Sequence, residues 1–179
     1  MHRLIGLVGF KQSGKSTAAR YLQEKYGFVR HNFKDVLIAE LEANFPDLLR
    51  YYLHLYGALD TAQLFREKPE PVRYLMMNYG TEVRRKEKSG YWVNQWIVTP
   101  VFDNNVVTDD VRFLNEAQAI KNNGGIIIRI IRTDIRTGGE HSSETEQLQI
   151  EADYTIEVGQ GEHKKLYAEL DAIMASWKA

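Results

Sequence analysis

The sequence predicts an α/β fold: a parallel five-stranded sheet flanked by helices. Three observations carry that expectation. Short continuous apolar runs recur, segments with helical spacing separate them, and the strongest run is β-branched throughout, as strands buried on both faces require. Leu4-Ile5-Gly6-Leu7-Val8 is the first such run. Lys15 to Tyr26 follows as a helix, with Ala18, Ala19, Leu22 and Tyr26 on one face and Gly27 as its stop. Phe28 to Asn32 reads as a second strand. From Phe33 to about Pro100 the pattern is mostly helical, broken in the middle by Pro69 and Pro71. After the turn signal Asn104-Asn105, Val106-Val107-Thr108 is a third strand, and Phe113 to Asn123 a helix closed by Gly124-Gly125. Ile126 to Ile131 is the β-branched strand, and Thr133 to Gly139 a polar loop. Ser143 and Glu146 have the spacing of a capping box, Tyr154 to Val158 forms a last strand, and Lys164 to Trp177 a last helix. Alternating strands and helices joined by right-handed crossovers give a parallel sheet covered on both faces.

With 179 residues the chain suits one domain, 1–179, around one sizeable core. The absence of cysteine excludes a disulfide framework, a thiolate metal site and a cysteine nucleophile. A net charge of -1 argues against a polycationic nucleic-acid coat, and the apolar N-terminal stretch MHRLIGLVGF is too short for a membrane span. A cytoplasmic protein with no nucleic-acid or membrane partner is therefore expected. The charge is nonetheless uneven: residues 1–138 carry +5 and all 12 arginines, and residues 139–179 carry -6.

Gly9-Phe10-Lys11-Gln12-Ser13-Gly14-Lys15-Ser16, followed by Thr17, matches G-x-x-x-x-G-K-[ST] without mismatch. The glycines Gly9 and Gly14 permit a tight path that aims the N–H groups of Lys11, Ser13 and their neighbours at phosphate oxygens. The following helix adds its positive dipole end, Lys15 a mobile charge for the β- and γ-phosphates, and Ser16 a hydroxyl ligand for Mg²⁺. An apolar strand before the motif and a helix after it supply the required context. The expected fold is thus the P-loop containing nucleoside triphosphate hydrolase fold, with ATP and Mg²⁺ as cofactors.

Thr108-Asp109-Asp110-Val111-Arg112 places two carboxylates and an arginine at the carboxyl end of a strand, the edge where open α/β sheets bind ligands. Asp109 is the candidate to hold Mg²⁺ through water, and Arg112 to grip a second phosphate. The bland alternative is a helix start, with Asp109 or Asp110 as cap and Arg112–Glu116 as a surface ion pair.

Asp110-Val111-Arg112-Phe113-Leu114-Asn115-Glu116-Ala117 resembles the DVRFxNEA signature of the bacteriophage-type deoxynucleoside monophosphate kinases. Gly80-Thr81-Glu82 with Arg84/Arg85 and Tyr91-Trp92-Val93 is similar to their GTE…R…WV segment. His141-Ser142-Ser143-Glu144 resembles their HxSE segment, and Asp153-Tyr154-Thr155-Ile156 with Gly159 their final strand and turn. Five segments, including the phosphate loop, agree in order over most of the chain. Departures are Leu114 for a usual Pro, Met77 for Gln and Glu157 for Asn, the second bearing on base preference.

The resemblance implies transfer of the ATP γ-phosphoryl group to a deoxynucleoside monophosphate, giving dNDP and ADP. It implies an acceptor-binding helical insert at about 33–100, offering Lys34, Asp35, Arg73, Thr81, Arg85 and Trp92, together with Asp110, Arg112 and Glu116 outside it. Trp92 and Trp96, four residues apart, either stack on a base or pack in the insert's own core. Arg85 with Lys86 and Lys88 has the alternative of a solvated face. A short lid at about 132–143 would carry Arg132 and Arg136 as catalytic arginines beside Lys15 and Arg112, with Arg132 also on ATP; the alternative is a polar connection. A homodimer is an open option. The competing activities are another small metabolite kinase, such as a dephospho-coenzyme A kinase-like enzyme, and a nucleotide-dependent switch ATPase, for which no water-positioning residue is identified.

Overall fold

In the computed structural model, which describes residues 2–134 and 146–177, five strands form one sheet. They are β1 (Leu4–Val8), β2 (Val29–Arg30), β3 (Val106–Thr108), β4 (Ile126–Arg132) and β5 (Tyr154–Val158). The order is β2-β3-β1-β4-β5 and every pairing is parallel. The helices are α1 (Lys15–Tyr26), α2 (Phe33–Asn44), α3 (Pro46–Tyr56), α4 (Thr61–Glu67), α5 (Glu70–Met77), α6 (Tyr91–Ile97), α7 (Leu114–Asn122) and α8 (His163–Ser176). A π-helical segment spans Asn78–Arg85. Arg136, His141, the Ser143–Glu146 capping box and most of the expected lid involve residues outside the described ones.

The chain divides into two compact units, one of residues up to 32 and from 99 onward, the other Phe33–Val98. In the first, β1 is the central strand and all five of its residues are buried, which explains its unbroken apolar sequence. Ala18, Ala19 and Leu22 of α1 and Leu166, Leu170, Ile173 and Met174 of α8 pack on Ile5, Leu7, Ile128, Ile130 and Ile156. Ile120 of α7 comes so close to the sheet that a Cβ on Gly6 would lie 2.6 Å from its Cδ1. A Cβ there would push aside the side-chain ends of Ile120 and Ile127. Lys25 and the hydroxyls of Tyr21 and Tyr26 all converge on Asp171, tying α1 to α8.

β2 is shorter than the expected Phe28–Asn32. Phe28 turns into the core at 3% exposure, while buried Asn32 uses its side-chain oxygen to accept from the Asp109 N–H at 2.9 Å. The connection from β1 leads toward β2, whereas α7 carries the chain from β3 past β1 to β4. That reversal puts the carboxyl ends of β1 and β3, paired through Gly6 and Thr108, at a topological switch point.

The Phe33–Val98 unit has its own core of Leu41, Leu49, Leu64, Phe65, Val72, Tyr79 and Trp92. Its prolines begin helices as well as interrupt the helical pattern: Pro46 and Pro71 sit in the first turns of α3 and α5, where a missing N–H costs nothing. The polar centre of this unit is Glu40. Its carboxylate accepts from Tyr79 Oη at 2.6 Å, Tyr91 Oη at 2.8 Å and Arg84 Nε at 2.7 Å. The Arg84 guanidinium also lies over both tyrosine rings, 5.2 and 5.0 Å from their centroids. Burial alone would raise the Glu40 pKa, but these donors outweigh it and hold the group below its ordinary value.

Glu40→Gln should therefore cost about 1.5–3 kcal/mol, the usual worth of hydrogen bonds to a charged group. The readout is the denaturant midpoint followed by tryptophan fluorescence, to which buried Trp92 and Trp96 report from this unit. Because the folded pKa is depressed, the wild-type advantage should be full above the unfolded carboxylate pKa and vanish as pH falls through the folded value.

Candidate active site

The phosphate loop owes its path to what surrounds it. Gly9 has φ 152°, and a Cβ there would lie 2.4 Å from the Ile130 carbonyl and 2.8 Å from Ser13 Oγ. Gly14, the residue before α1, has φ 104°, and its carbonyl accepts the first helical bond from Ala18 at 2.9 Å. Gln12 also adopts a left-handed conformation, at φ 65°. This succession bends the chain into a concave nest of N–H groups capped by a helix N-terminus, a shape suited to an oxyanion.

Lys15 lies across the loop, donating to the carbonyls of Gly9 at 2.6 Å and Phe10 at 2.7 Å. Burial is the largest influence on its ammonium, and nearby Arg112 acts in the same direction. Against the pull of Asp109 and Asp110, they lower its pKa to about 8. Ser16 is exposed at the first turn of α1, with half-buried Thr17 next to it and exposed Lys11 at the loop tip.

Asp109 projects from the end of β3 to meet this loop. Its Oδ2 accepts from Ser16 Oγ at 2.7 Å, and its two oxygens take Nε and Nη2 of Arg30 at 2.9 and 2.5 Å. Burial would raise its pKa, yet the Ser16 hydroxyl, the Arg30 guanidinium and Asn32 together keep it below the ordinary carboxylate value. Asp110 points differently and accepts from Thr108 Oγ1 at 2.9 Å. Arg112 is exposed, and its guanidinium has no ion-pair partner among the described residues.

Neither bland alternative for this segment matches the geometry. The residue capping α7 is Phe113, not an aspartate, and Glu116 closes the cap. Glu116 is 2% exposed and so does not lie on the surface; its Oε2 accepts from the N–H groups of Arg112 at 2.8 Å and Phe113 at 3.2 Å. It thus fixes the backbone that carries Arg112.

Arg132, at the end of β4, forms a two-point pair with Asp134 and donates to the Gln12 carbonyl at 3.2 Å. Its side chain borders a cavity of about 240 Å³ that extends from Ser13–Thr17 to Val158, Gly159, Gly161, Glu162, His163 and Leu166. Sequence reasoning did not identify Arg30, Asn32 or the Gly161–Leu166 stretch as part of a site. The glycine-flanked turn after β5 was the available signal for the last of these.

Within the helical unit, Lys34 and Asp35 occupy the first turn of α2 and are half-buried. Arg73 is exposed on α5. Thr81 is exposed and Arg85 half-buried in the π-helical segment. Trp92 takes the core position of its two alternatives: it is 3% exposed and donates Nε1–H to the Gly80 carbonyl at 2.8 Å. It therefore offers no open ring face and instead braces the residue preceding Thr81. Trp96 packs on Phe33 with centroids 4.3 Å apart.

No family model matches the chain. A protein of Acanthamoeba polyphaga mimivirus, whose name carries the provisional assignment deoxynucleotide monophosphate kinase, is 30% identical over 187 positions. The match spans 93% of this chain and 93% of that protein. The chain belongs to the deoxynucleotide monophosphate kinase family. Among solved structures, shikimate kinase from Acinetobacter baumannii in complex with shikimate aligns with a TM-score of 0.54 at 15% identity, covering 98% of this chain and 94% of that one. Dephospho-CoA kinase from Campylobacter jejuni aligns at 0.48 and 12%, over 97% and 96%. The shikimate kinase likeness bears on the fold alone, that of a P-loop kinase; membership of the family makes this chain a kinase, and so a phosphotransferase. No helix among its described residues is long and apolar enough to cross a membrane.

Among the described residues no group of three or more His, Asp or Glu side chains is placed to hold a metal ion. The donor set at the loop is of another kind, one hydroxyl and one carboxylate in contact. Hard oxygens of this sort suit Mg²⁺, which retains several waters and borrows further ligands from phosphates.

The lowered pKa of Lys15 has a measurable consequence. Bound phosphates favour the ammonium form, so at pH 8 the kinase should take up as much as about half a proton on binding ADP. Calorimetry in two buffers of different ionisation enthalpy measures this uptake. Lys15→Ala should lack this contribution at pH 8, and the difference between it and wild type should vanish near pH 6, where Lys15 is already protonated.

Proposed function

We propose that this kinase transfers the γ-phosphoryl group of ATP to a deoxynucleoside 5′-monophosphate, forming the dNDP and ADP. The observation that carries the reading is the meeting of Lys15, Ser16 and Asp109 at one sheet edge, with exposed Arg112 following on the same strand exit. The family membership agrees with it. Phosphoryl transfer requires little covalent work from the protein; it needs in-line positioning and neutralisation of negative charge spreading over the transferred group.

In this reading the N–H groups of the loop and α1 hold the polyphosphate, and Lys15 leaves the loop carbonyls to pair with the β- and γ-oxygens. Mg²⁺ would be held by Ser16 and, through water, by Asp109, supplying positive charge to the phosphates when bound. Arg112, fixed by Glu116 below it, binds the acceptor's monophosphate bidentately, with Asp110 alongside. The whole chain, 1–179, acts as one kinase domain. Its insert at about 33–100 selects the acceptor through Lys34, Asp35, Arg73, Thr81 and Arg85, with Trp92 positioning Thr81 through Gly80. Arg132, with Arg136 on the lid at about 132–143, neutralises the transferring phosphoryl group and excludes water.

Purified protein with Mg²⁺-ATP should produce ADP in the presence of one or more deoxynucleoside monophosphates, dGMP and dTMP being the first to test. Dephospho-coenzyme A should leave the rate at the no-acceptor baseline. A panel in which every monophosphate also gives baseline sinks the assignment. Lys15→Ala should lower kcat by roughly 10²–10³-fold or more, as expected for removal of a principal charge-stabilising group. Arg112→Ala should instead act through the acceptor, raising its KM while the ATP KM stays near wild type; unchanged acceptor kinetics would take Arg112 out of the site.

A further inference from the structure

The Asp109 side chain is 4% exposed, and the group that neutralises it is Arg30, itself 32% exposed at the end of β2. Both guanidinium contacts are charge-assisted, and Nη2 reaches 3.5 Å from Ser16 Oγ as well. One guanidinium therefore touches both oxygen donors that the proposed function gives to Mg²⁺. A cation bound at those two oxygens is opposed by a second positive charge held against them, because like charges at contact distance repel while each is attracted to the same carboxylate. Arg30 is long and partly exposed, and its side chain is held among the described residues by Asp109 and Ser16, so it can withdraw toward solvent once another cation takes its place.

We propose that Arg30 is an internal stand-in for the divalent cation: it holds the Asp109 carboxylate against Ser16 before nucleotide arrives, and Mg²⁺ brought in on the nucleotide displaces it. Arg30 is thus a positioning residue. The inference rests on the reading of Ser16 and Asp109 as the metal site, and its thermodynamics are those of competition. The pairing stabilises the metal-free protein and lowers the apparent metal affinity by the fraction of time the guanidinium is in place.

The test combines stability with metal binding. In metal-free buffer Arg30→Gln should melt several degrees below wild type, because a buried carboxylate has lost its counter-charge. With saturating Mg²⁺-ADP that deficit should largely close. The ADP complex of Arg30→Gln should bind Mn²⁺, followed by its paramagnetic resonance signal, roughly fivefold or more tightly than the wild-type complex, a modest coupling between two groups sharing one site. Arg30→Lys, which keeps the charge but loses the two-point contact, should fall between them.

An equal melting deficit with and without Mg²⁺-ADP, together with unchanged Mn²⁺ affinity, would show an ordinary structural ion pair and overturn the proposal while leaving the kinase reading intact. ADP binding that is indifferent to Mn²⁺ in the wild type would overturn both. Should Arg30→Gln fail to fold, the wild-type chain still decides: the Arg30 Nε–H resonance, assigned by its loss in Arg30→Lys, should move when Mg²⁺ is added to the ADP complex. A resonance that stays in place overturns the proposal.

Discussion

A carboxylate removed from water loses hydration worth several kcal/mol, and the protein must return that stabilisation through donors and counter-charge. Asp109 meets this condition at the end of β3. The Asn32 amide oxygen fixes its backbone, the Ser16 hydroxyl and the Arg30 guanidinium hold its oxygens, and the group stays ionised despite its burial. Much of the site's geometry follows from that requirement. Ser16 is drawn to the strand edge, β2 ends where Arg30 and Asn32 can reach across, and the first turn of α1 is held against β3. An uncharged residue at 109 would remove the reason for each of these placements.

The same principle acts with opposite sign on Lys15. Burial and Arg112 weaken its hold on a proton, while Asp109 and Asp110 strengthen it. The balance leaves an ammonium that is charged at neutral pH yet less stable than a solvated one, and so gains more from an incoming phosphate. Its contacts with the Gly9 and Phe10 carbonyls are neutral acceptors that a phosphate oxygen easily replaces. Poised cation and poised anion are two results of one poorly hydrated sheet edge.

How much of this was legible in the sequence depends on the distance over which each feature is encoded. The phosphate loop, β1 and α1 are written in consecutive residues, each with its own local reason: buried apolar run, glycine turn, helical spacing, glycine stop. β1, β3 and much of β4 were equally visible, since parallel strands buried on both faces leave apolar runs, whereas half-buried β2 is shorter than its sequence suggested and β5 alternates. Arg30 and Asn32 were not, because their meaning comes from a strand partner 79 and 77 residues away. Glu116 was named as an acceptor-site residue by the family resemblance, with an exposed pair with Arg112 as the alternative, whereas its carboxylate lies inside and accepts from the N–H groups of Arg112 and Phe113 just before α7. The π-helical turns at Asn78–Arg85 left no periodic signal, for the segment is too short to establish one. Trp92 could be read two ways because aromatic content alone does not distinguish a core anchor from a stacking surface; the Gly80 carbonyl decides it.

The two compact units divide the labour along the same line. The sheet unit holds the loop, Asp109 and Arg112, and its core consists of β1, β4 and β5 with α1 and α8. The helical unit draws its stability from its own apolar cluster and from the four-sided arrangement of Glu40, Tyr79, Arg84 and Tyr91. Substitutions at Arg73, Thr81 or Met77, which lie on exposed positions of the helical unit, therefore change its surface without disturbing either core. A fold arranged this way leaves exposed positions of the helical unit free to vary while the charge-bearing loop of the sheet unit is held by its own contacts.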